Sequence, residues 1–171
     1  MDNLTIKLKI KERLNKLASF DYDNIQDWQI IEAFNKGTVS WCRRQLHGTN
    51  LTKTGDEQTK RRIDDLQVLL VNANPTLTKQ DKFYDFPVPT DYFEYKRIGI
   101  KAASECCKAD DFVVYLVEEA NIDIYLKDPN KNPNFKWRET FCTLLGNTMK
   151  VFTNNNFEVT EVLVTYYKQP R

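Results

Sequence analysis

Residues 141–167 of the chain read FCTLLGNTMKVFTNNNFEVTEVLVTYY, and this stretch decides the fold class. Apolar, β-branched and aromatic residues fill it in three short runs, a composition typical of β-strands. Gly146-Asn147 separates the first two runs, and Asn154-Asn155-Asn156 separates the second from the third. Because Gly and Asn accept the left-handed backbone of tight turns, we expect a hairpin turn at each break. The predicted strands are Phe141–Leu145, Met149–Phe152 and Phe157–Tyr167.

The strand pattern also occurs in the residues that precede this stretch. Tyr95–Cys106 alternates apolar and polar residues, as a half-buried strand does, and Phe112–Val117 is rich in β-branched and aromatic residues. Asn121–Leu126 is predicted to form one helical turn, and DPNKNPN at residues 128–134 a loop. The buried face of the first of these strands is expected to carry Ile98, Ile100 and Ala102.

The first part of the chain has helical periodicity instead. We predict three helices, over Leu4–Ala18, Asn24–His47 and Glu57–Leu70, followed by a turn-rich joint at residues 71–81. The second helix is the clearest, because Asp23 can cap it and Gln26 follows three residues later, a capping-box spacing. Gly37 inside it costs about 1 kcal/mol relative to Ala, and such a glycine more often permits close packing than breaks the helix. Its apolar stripe comprises Ile25, Trp28, Ile31, Phe34, Thr38, Trp41 and Gln45, widened by Ile30, Ala33 and Cys42.

The order of these elements predicts an α+β protein: N-terminal helices including one long helix, followed by an antiparallel β region. The helical region is expected over residues 1–75, and the antiparallel β region with its short helical turn over residues 76–171. We expect the two regions to form one composite domain, because a chain of 171 residues suits a single domain.

Composition and charge exclude several classes of protein. Hydrophobic residues make up 41% of the chain, which is too many for wholesale disorder. The formal net charge is +1, so a protein that coats nucleic acid by nonspecific electrostatic binding is not expected. No apolar run reaches the length of a membrane span, and the N-terminus does not have the pattern of a signal peptide.

Candidate catalytic groups are few, and each has a simpler explanation. His47, the only histidine, lies near a predicted helix end, where it complements the helix dipole. The cysteines lack metal-ligand spacing, which favours buried thiols over a zinc site. The acidic pairs could hold Mg²⁺ in a nuclease, but each pair alone is a poor chelate. No nucleotide-binding or hydrolase motif is present. We therefore expect no enzymatic activity and no cofactor. The acidic pairs are Asp64-Asp65, Asp110-Asp111 and Glu118-Glu119.

Paired charges on the predicted helices are the sharpest candidates for contacts with other molecules. Arginine forms bidentate pairs with carboxylates and phosphates, so these positions suit links between subunits or contacts to DNA. The alternative is that they are solvated helix faces. The candidate interface residues are Trp41, Arg43, Arg44, Arg61, Arg62, Asp64 and Asp65, within the segments Glu32–Gly48 and Glu57–Leu70.

Four long strings together resemble a family of virion structural proteins from crAss-like tailed bacteriophages of gut Bacteroidales. The strings are EAFNKGTVSWCRRQLHG at residues 32–48, TGDEQTKRRIDDLQVLL at 54–70, PVPTDYFEYKRIGIKAASECC at 87–107, and EEANIDIYLKDPNKNPNFKWRETFCTLLGNTMKVFTNNNFEVTEVLVTYYKQP at 118–170. The resemblance covers nearly the whole chain and implies a role, not an active site. Such proteins are ring or adaptor components of the head-to-tail connector.

The resemblance implies a ring of identical copies, dodecameric by analogy with the portal, placed around the DNA channel in the neck of the virion. Its partners would be the portal protein and other tail ring proteins, with DNA passing through without specific binding and no membrane. Assembly would take place in the cytoplasm of the bacterial host. The alternatives are another tail-ring or stopper position, and a DNA-binding packaging accessory protein whose affinity would fall steeply with salt.

Overall fold

The computed structural model describes residues 2–17, 25–47, 66–104 and 107–170. The chain divides into two compact units. One comprises Met1–Val68 with Pro170–Arg171, and the other comprises Leu69–Gln169. Helices and strands are both present, so the protein is of mixed α+β class, as predicted. The expectation that both regions form one composite domain stays a prediction.

The first unit contains helices α1, Asn3–Leu17, and α2, Asp27–His47. Helix α1 matches its predicted range closely, and α2 ends at His47 as predicted. Helix α2 begins three residues later than predicted, because the Gln26 backbone N–H donates to Oε1 of Gln29 at 2.9 Å and this contact caps the first turn. Two lysines of α1 pair with Asp27 at the start of α2: Lys7 at 3.2 Å and Lys11 at 2.8 Å.

The third predicted helix lies mostly outside the described residues. Within them, its last part is corrected: Gln67–Leu69 is a 3-10 turn, and a strand begins at Leu70. The residues predicted to be a joint contain strands β1, Leu70–Ala73, and β2, Thr78–Lys79. The sheet therefore includes residues 70–73, which the prediction left in the helical region.

The second unit is an eight-stranded sheet in the order β1-β8-β4-β5-β6-β7-β3-β2. Helix α3, Ile122–Lys127, follows a 3-10 turn at Glu119–Asn121 and confirms the predicted helical turn. The remaining strands are β3 Phe83–Pro87, β4 Tyr92–Ser104, β5 Cys107–Leu116, β6 Glu139–Leu145, β7 Thr148–Phe152 and β8 Glu158–Lys168.

The sheet is mixed, which corrects the prediction of a purely antiparallel region. Strands β5 and β6 run parallel, with Val113 opposite Glu139 and Leu116 opposite Cys142. A parallel pair needs a long crossover connection. The segment between β5 and β6 supplies it, since it includes α3 and the loop of residues 128–138. The other strand pairs are antiparallel.

The connection between β1 and β2 requires the sheet to curl. These strands lie at opposite ends of the strand order, yet only residues 74–77 separate them. Eight flat strands would place the two ends about 34 Å apart at ~4.8 Å per strand. The chain from Ala73 to Thr78 reaches about 17 Å at most. An ion pair between Lys79 on β2 and Glu158 on β8 connects one end of the curled sheet to the strand next to its other end.

The concave face of the sheet encloses the core. The prediction that Ile98, Ile100 and Ala102 share a buried face is confirmed. Three phenylalanines from different strands and loops pack together beside it, with ring centroids 4.7 Å apart for Phe112–Phe157 and 5.5 Å for Phe112–Phe135. Other fully enclosed members of the core are Phe86, Cys142, Met149, Val151, Val162 and Val164.

One of the two predicted hairpins is present. Gly146, with a φ of 58°, lies in the turn that joins the antiparallel strands β6 and β7. Asn154 and Asn155 also take left-handed φ values, 48° and 59°, so the predicted turn exists. It does not make a hairpin, because β7 and β8 are separated by other strands of the sheet. Among the described helices, none is long and apolar enough to cross a membrane.

Candidate functional site

Helix α2 exposes an apolar stripe to solvent. Phe34 is 45% exposed and Trp41 47% exposed, and they lie two helical turns apart on one side of the helix. Gly37 lies between them, and a Cβ built there would have no described atom within 4 Å. We call Phe34, Gly37 and Trp41 the α2 stripe. The helix instead buries Ile30 and Cys42, which corrects the centre of the stripe predicted from the sequence.

The glycine in the α2 stripe has no explanation within the described part of the chain. Gly costs about 1 kcal/mol in a helix interior relative to Ala, and it is usually kept where another backbone must come close. Large apolar side chains grouped on an exposed surface mark sites of interaction. Together these features identify the α2 stripe as a surface that another molecule can cover. Helix α1 adds Leu4, 62% exposed, and Leu8, 60% exposed, one turn apart.

A basic groove runs along a neighbouring side of α2. It is lined by Asn35, Lys36, Val39, Ser40, Arg43, Arg44 and His47. Lys36 pairs with Glu32 at 2.6 Å, so part of this charge is compensated within the helix. The groove therefore places basic side chains beside an apolar stripe.

The interface residues predicted from the sequence are only partly described. Trp41, Arg43 and Arg44 all lie on α2 with exposed side chains. The remaining four, Arg61, Arg62, Asp64 and Asp65, lie outside the described residues. The prediction that these seven form an interface stays a prediction.

The outer, convex face of the sheet has a shallow depression centred on Gly99 of β4. Gly99 lies opposite Val113 of β5 and Leu163 of β8 in register, so an apolar row crosses three strands with a gap at its centre. Val113 is 54% exposed. Arg97 and Lys101 flank the gap along β4, and Lys101 pairs with Glu161 at 2.8 Å. We call the depression around Gly99 the Gly99 trough.

A third exposed feature is the turn at Phe135–Arg138, which holds Trp137 at its tip. Trp137 is 70% exposed. The turn is closed by two backbone hydrogen bonds between Asn134 and Glu139, of 3.0 and 3.3 Å. Arg138 adopts a φ of 56° and pairs with Asp110 at 2.8 Å. The tryptophan is thus presented on a well-supported turn.

Several titratable groups of the second unit have structural partners. Burial raises the pKa of the Cys142 thiol to about 12, with a smaller opposing effect from the Tyr95 hydroxyl. Glu119 lies 3.0 Å from Lys150, and Asp110 is held by the arginine of the exposed turn. Within the described ranges, no group of three or more His, Cys, Asp or Glu residues is placed to hold a metal ion.

Sequence reasoning missed the Gly99 trough and the exposed tryptophan of the turn. A signal for the trough was present, because Gly99 interrupts an otherwise regular strand pattern, and glycine inside a strand often marks close approach of a ligand or backbone. In the sequence, the alternation of apolar and polar residues shows only that Gly99 lies on the face of its strand opposite the buried one. The neighbours that make it the centre of an apolar row depend on strand register.

No protein-family model matches the chain, and no curated protein matches it closely enough to count as a relative.

Proposed function

We propose that this protein is a virion structural protein, a ring or adaptor component of the head-to-tail connector of a tailed bacteriophage. Copies of the chain form a ring, dodecameric by analogy with the portal, that binds the portal protein and neighbouring tail ring proteins in the neck of the virion. DNA passes through the ring without specific binding. The protein acts by contact with other chains and performs no catalysis.

The observation that carries this proposal is the α2 stripe. An exposed Phe and an exposed Trp flank a glycine that has open space above it. Within the described part of the chain, this arrangement leaves nearly half of each aromatic side chain in water, 45% and 47%, and the glycine weakens the helix. A neighbouring chain that packs against the stripe removes both penalties. The resemblance of the sequence to phage connector proteins suggests that this neighbour belongs to the connector.

Closed rings built from one kind of chain use two different surfaces of each subunit, which meet in a head-to-tail contact. The chain offers an exposed apolar surface on its helical unit and another on its sheet unit. Two unlike surfaces are what a ring needs, whereas a two-fold dimer needs one surface that matches itself.

The test is assembly of the purified full chain on the portal protein of the same phage, followed by electron microscopy. Changing Phe34 and Trp41 together to Ser should abolish ring formation, because it removes the apolar contact without disturbing buried residues. Ile124→Ser is the matched control, since Ile124 is 58% exposed on α3 and should not affect rings. Normal rings from the double variant would contradict the proposal, and copurification with portal alone would separate an adaptor from a lower ring or stopper.

The basic groove favours one second candidate, a DNA-binding packaging accessory protein. Its lining includes Lys36, Arg43, Arg44 and His47 along one side of α2. Contacts of this kind to phosphates would release counterions, so the affinity for DNA would fall steeply as salt rises. Tight DNA binding with a steep salt dependence, lost in the variant Arg43→Glu with Arg44→Glu, would favour this candidate over the connector.

A further inference from the structure

We propose that α2 of one copy lies across the outer face of the sheet of a second copy, with Gly37 above Gly99. This inference rests on the proposed function and names the two surfaces that meet in the ring. The first surface is the α2 stripe, and the second is the Gly99 trough.

The dimensions of the two surfaces agree. Phe34 and Trp41 are seven residues apart, which is about 10.5 Å along a helix. Val113 and Leu163 are on strands either side of β4, and two strand spacings amount to about 9.6 Å. A helix that crosses the strands can therefore place one aromatic ring over Val113 and the other over Leu163.

Glycine lies at the centre of both surfaces. With Gly37 near the middle of the stripe and Gly99 at the middle of the apolar row, the helix backbone can approach the sheet where neither glycine has a side chain of its own. A Cβ at Gly99 would meet only Nη2 of Arg97, at 4.0 Å, which is ordinary van der Waals contact with the end of a flexible side chain. Each glycine is costly in its own element, and a shared contact accounts for both.

Charge supports the same pairing. The Arg97 guanidinium lies beside the gap, where it can stack on one of the two aromatic rings placed over Val113 and Leu163. Asp111 lies on the rim next to the Lys101–Glu161 pair, and its side chain is exposed. Arg44 follows Trp41 by three residues and its side chain is exposed, so with Trp41 over Val113 it can join Lys101, the register partner of Asp111, in pairing with that carboxylate.

The outer face of the sheet suits contact with a second copy better than the free edge of β5 does. Residues 107–112 of β5 have β4 on one side and no described strand on the other. Charged residues occupy this edge, and the Asp111 backbone N–H donates to Oδ1 of Asp110 at 2.9 Å. Charges and satisfied N–H groups are the usual protection of an edge strand against pairing with another chain.

The first test fills the trough. Gly99→Val adds a side chain that strands favour, and its Cβ would make only an ordinary contact with Nη2 of Arg97, at 4.0 Å, so the variant should fold normally. It should weaken self-association of the purified full chain, measured by sedimentation velocity, at least about tenfold. Ala109→Val is the control, because it adds the same kind of bulk at an exposed position of β5 away from the trough. Unchanged self-association of Gly99→Val would overturn the inference.

The second test locates the contact. A photo-crosslinking amino acid replaces Trp41, and the variant is mixed with isotope-labelled wild-type chain before irradiation. Mass spectrometry should find links from position 41 to peptides of the other copy that contain Gly99, Val113 or Leu163. Links to another surface, or no link between copies, would overturn the inference. The proposed function would stand in either case if rings are still seen on portals, and it would fail if the chain forms no ring there.

Discussion

Replacing Gly37 by Ala separates the stability of the chain from its assembly. The glycine lies inside α2, where Ala is more favourable by about 0.5–1 kcal/mol through helix propensity and the entropy of the unfolded chain. A Cβ at this position has no described atom within 4 Å, so no clash offsets the gain. We therefore expect the free chain to become more stable. In the ring, the same methyl group would lie in a contact that excludes it, and inserting a methyl into a packed contact costs about 1–3 kcal/mol.

The two effects are measured in separate assays. Thermal unfolding of the unassembled chain, followed by circular dichroism at the helix band, should show a midpoint higher by about 1–4 °C. Self-association should weaken about tenfold. Asn35→Ala is the matched control, because Asn35 is exposed in the basic groove, outside the α2 stripe, and its replacement raises helix propensity similarly. The control should be more stable and should assemble normally.

Two results would refute the reasoning about Gly37. A lower unfolding midpoint for Gly37→Ala would mean that the chain itself packs against the glycine. A higher midpoint with unchanged assembly would mean that no other molecule approaches it, and the α2 stripe would lose its role as a contact surface.

Three further predictions concern the sheet unit. Phe141→Ala should lower the free energy of unfolding by about 3–5 kcal/mol, because Phe141 is only 1% exposed. Leu145 lies on the same strand and is 50% exposed, so Leu145→Ala should change the free energy of unfolding by less than about 0.5 kcal/mol. Similar urea midpoints for the two variants would contradict this prediction. Cys142 should resist alkylation by iodoacetamide at pH 8 until denaturant is added. With a pKa of about 12, about one Cys142 thiol in ten thousand is ionised at that pH. Alkylation of the Cys142 tryptic peptide in the native protein would contradict this prediction. Tyr166→Phe should cost about 1–2 kcal/mol in urea unfolding, because the hydroxyl donates to Oδ1 of Asp91 at 2.7 Å, and a neutral result would make that hydrogen bond unimportant.

Local patterns predicted most of the strands. The alternation around Ile98 and Ile100 gave the correct buried face, and Gly146 marked a real hairpin. These features depend on residues that are close together in the sequence, so one amino-acid sequence is enough to predict them. The predicted turn at residues 154–156 was also correct as a turn, but whether the flanking strands pair depends on the whole sheet.

The errors arose where distant residues decide the structure. Strand β1 is short and contains Asn72, a residue that strands disfavour, but pairing with β8 makes Leu70–Ala73 extended. The parallel pairing of β5 with β6 depends on the crossover through α3, and hydrophobic periodicity does not report strand direction.

The candidate site was predictable in part. The sequence placed Trp41 and the arginine pair on a long helix and identified Gly37 as a position for close packing. It could not show which side of that helix is exposed, because an apolar stripe looks the same whether the chain or a partner covers it. It also could not show the Gly99 trough, since the row of Val113, Gly99 and Leu163 exists only through strand register.

The most direct test of the central claim is the structure of the intact virus particle by electron cryomicroscopy, at a resolution that traces side chains in the neck. We predict a ring of this chain below the portal, with Phe34 and Trp41 of each copy covered by another chain. A neck that lacks the chain, or a ring in which these two aromatic side chains remain in solvent, would contradict it.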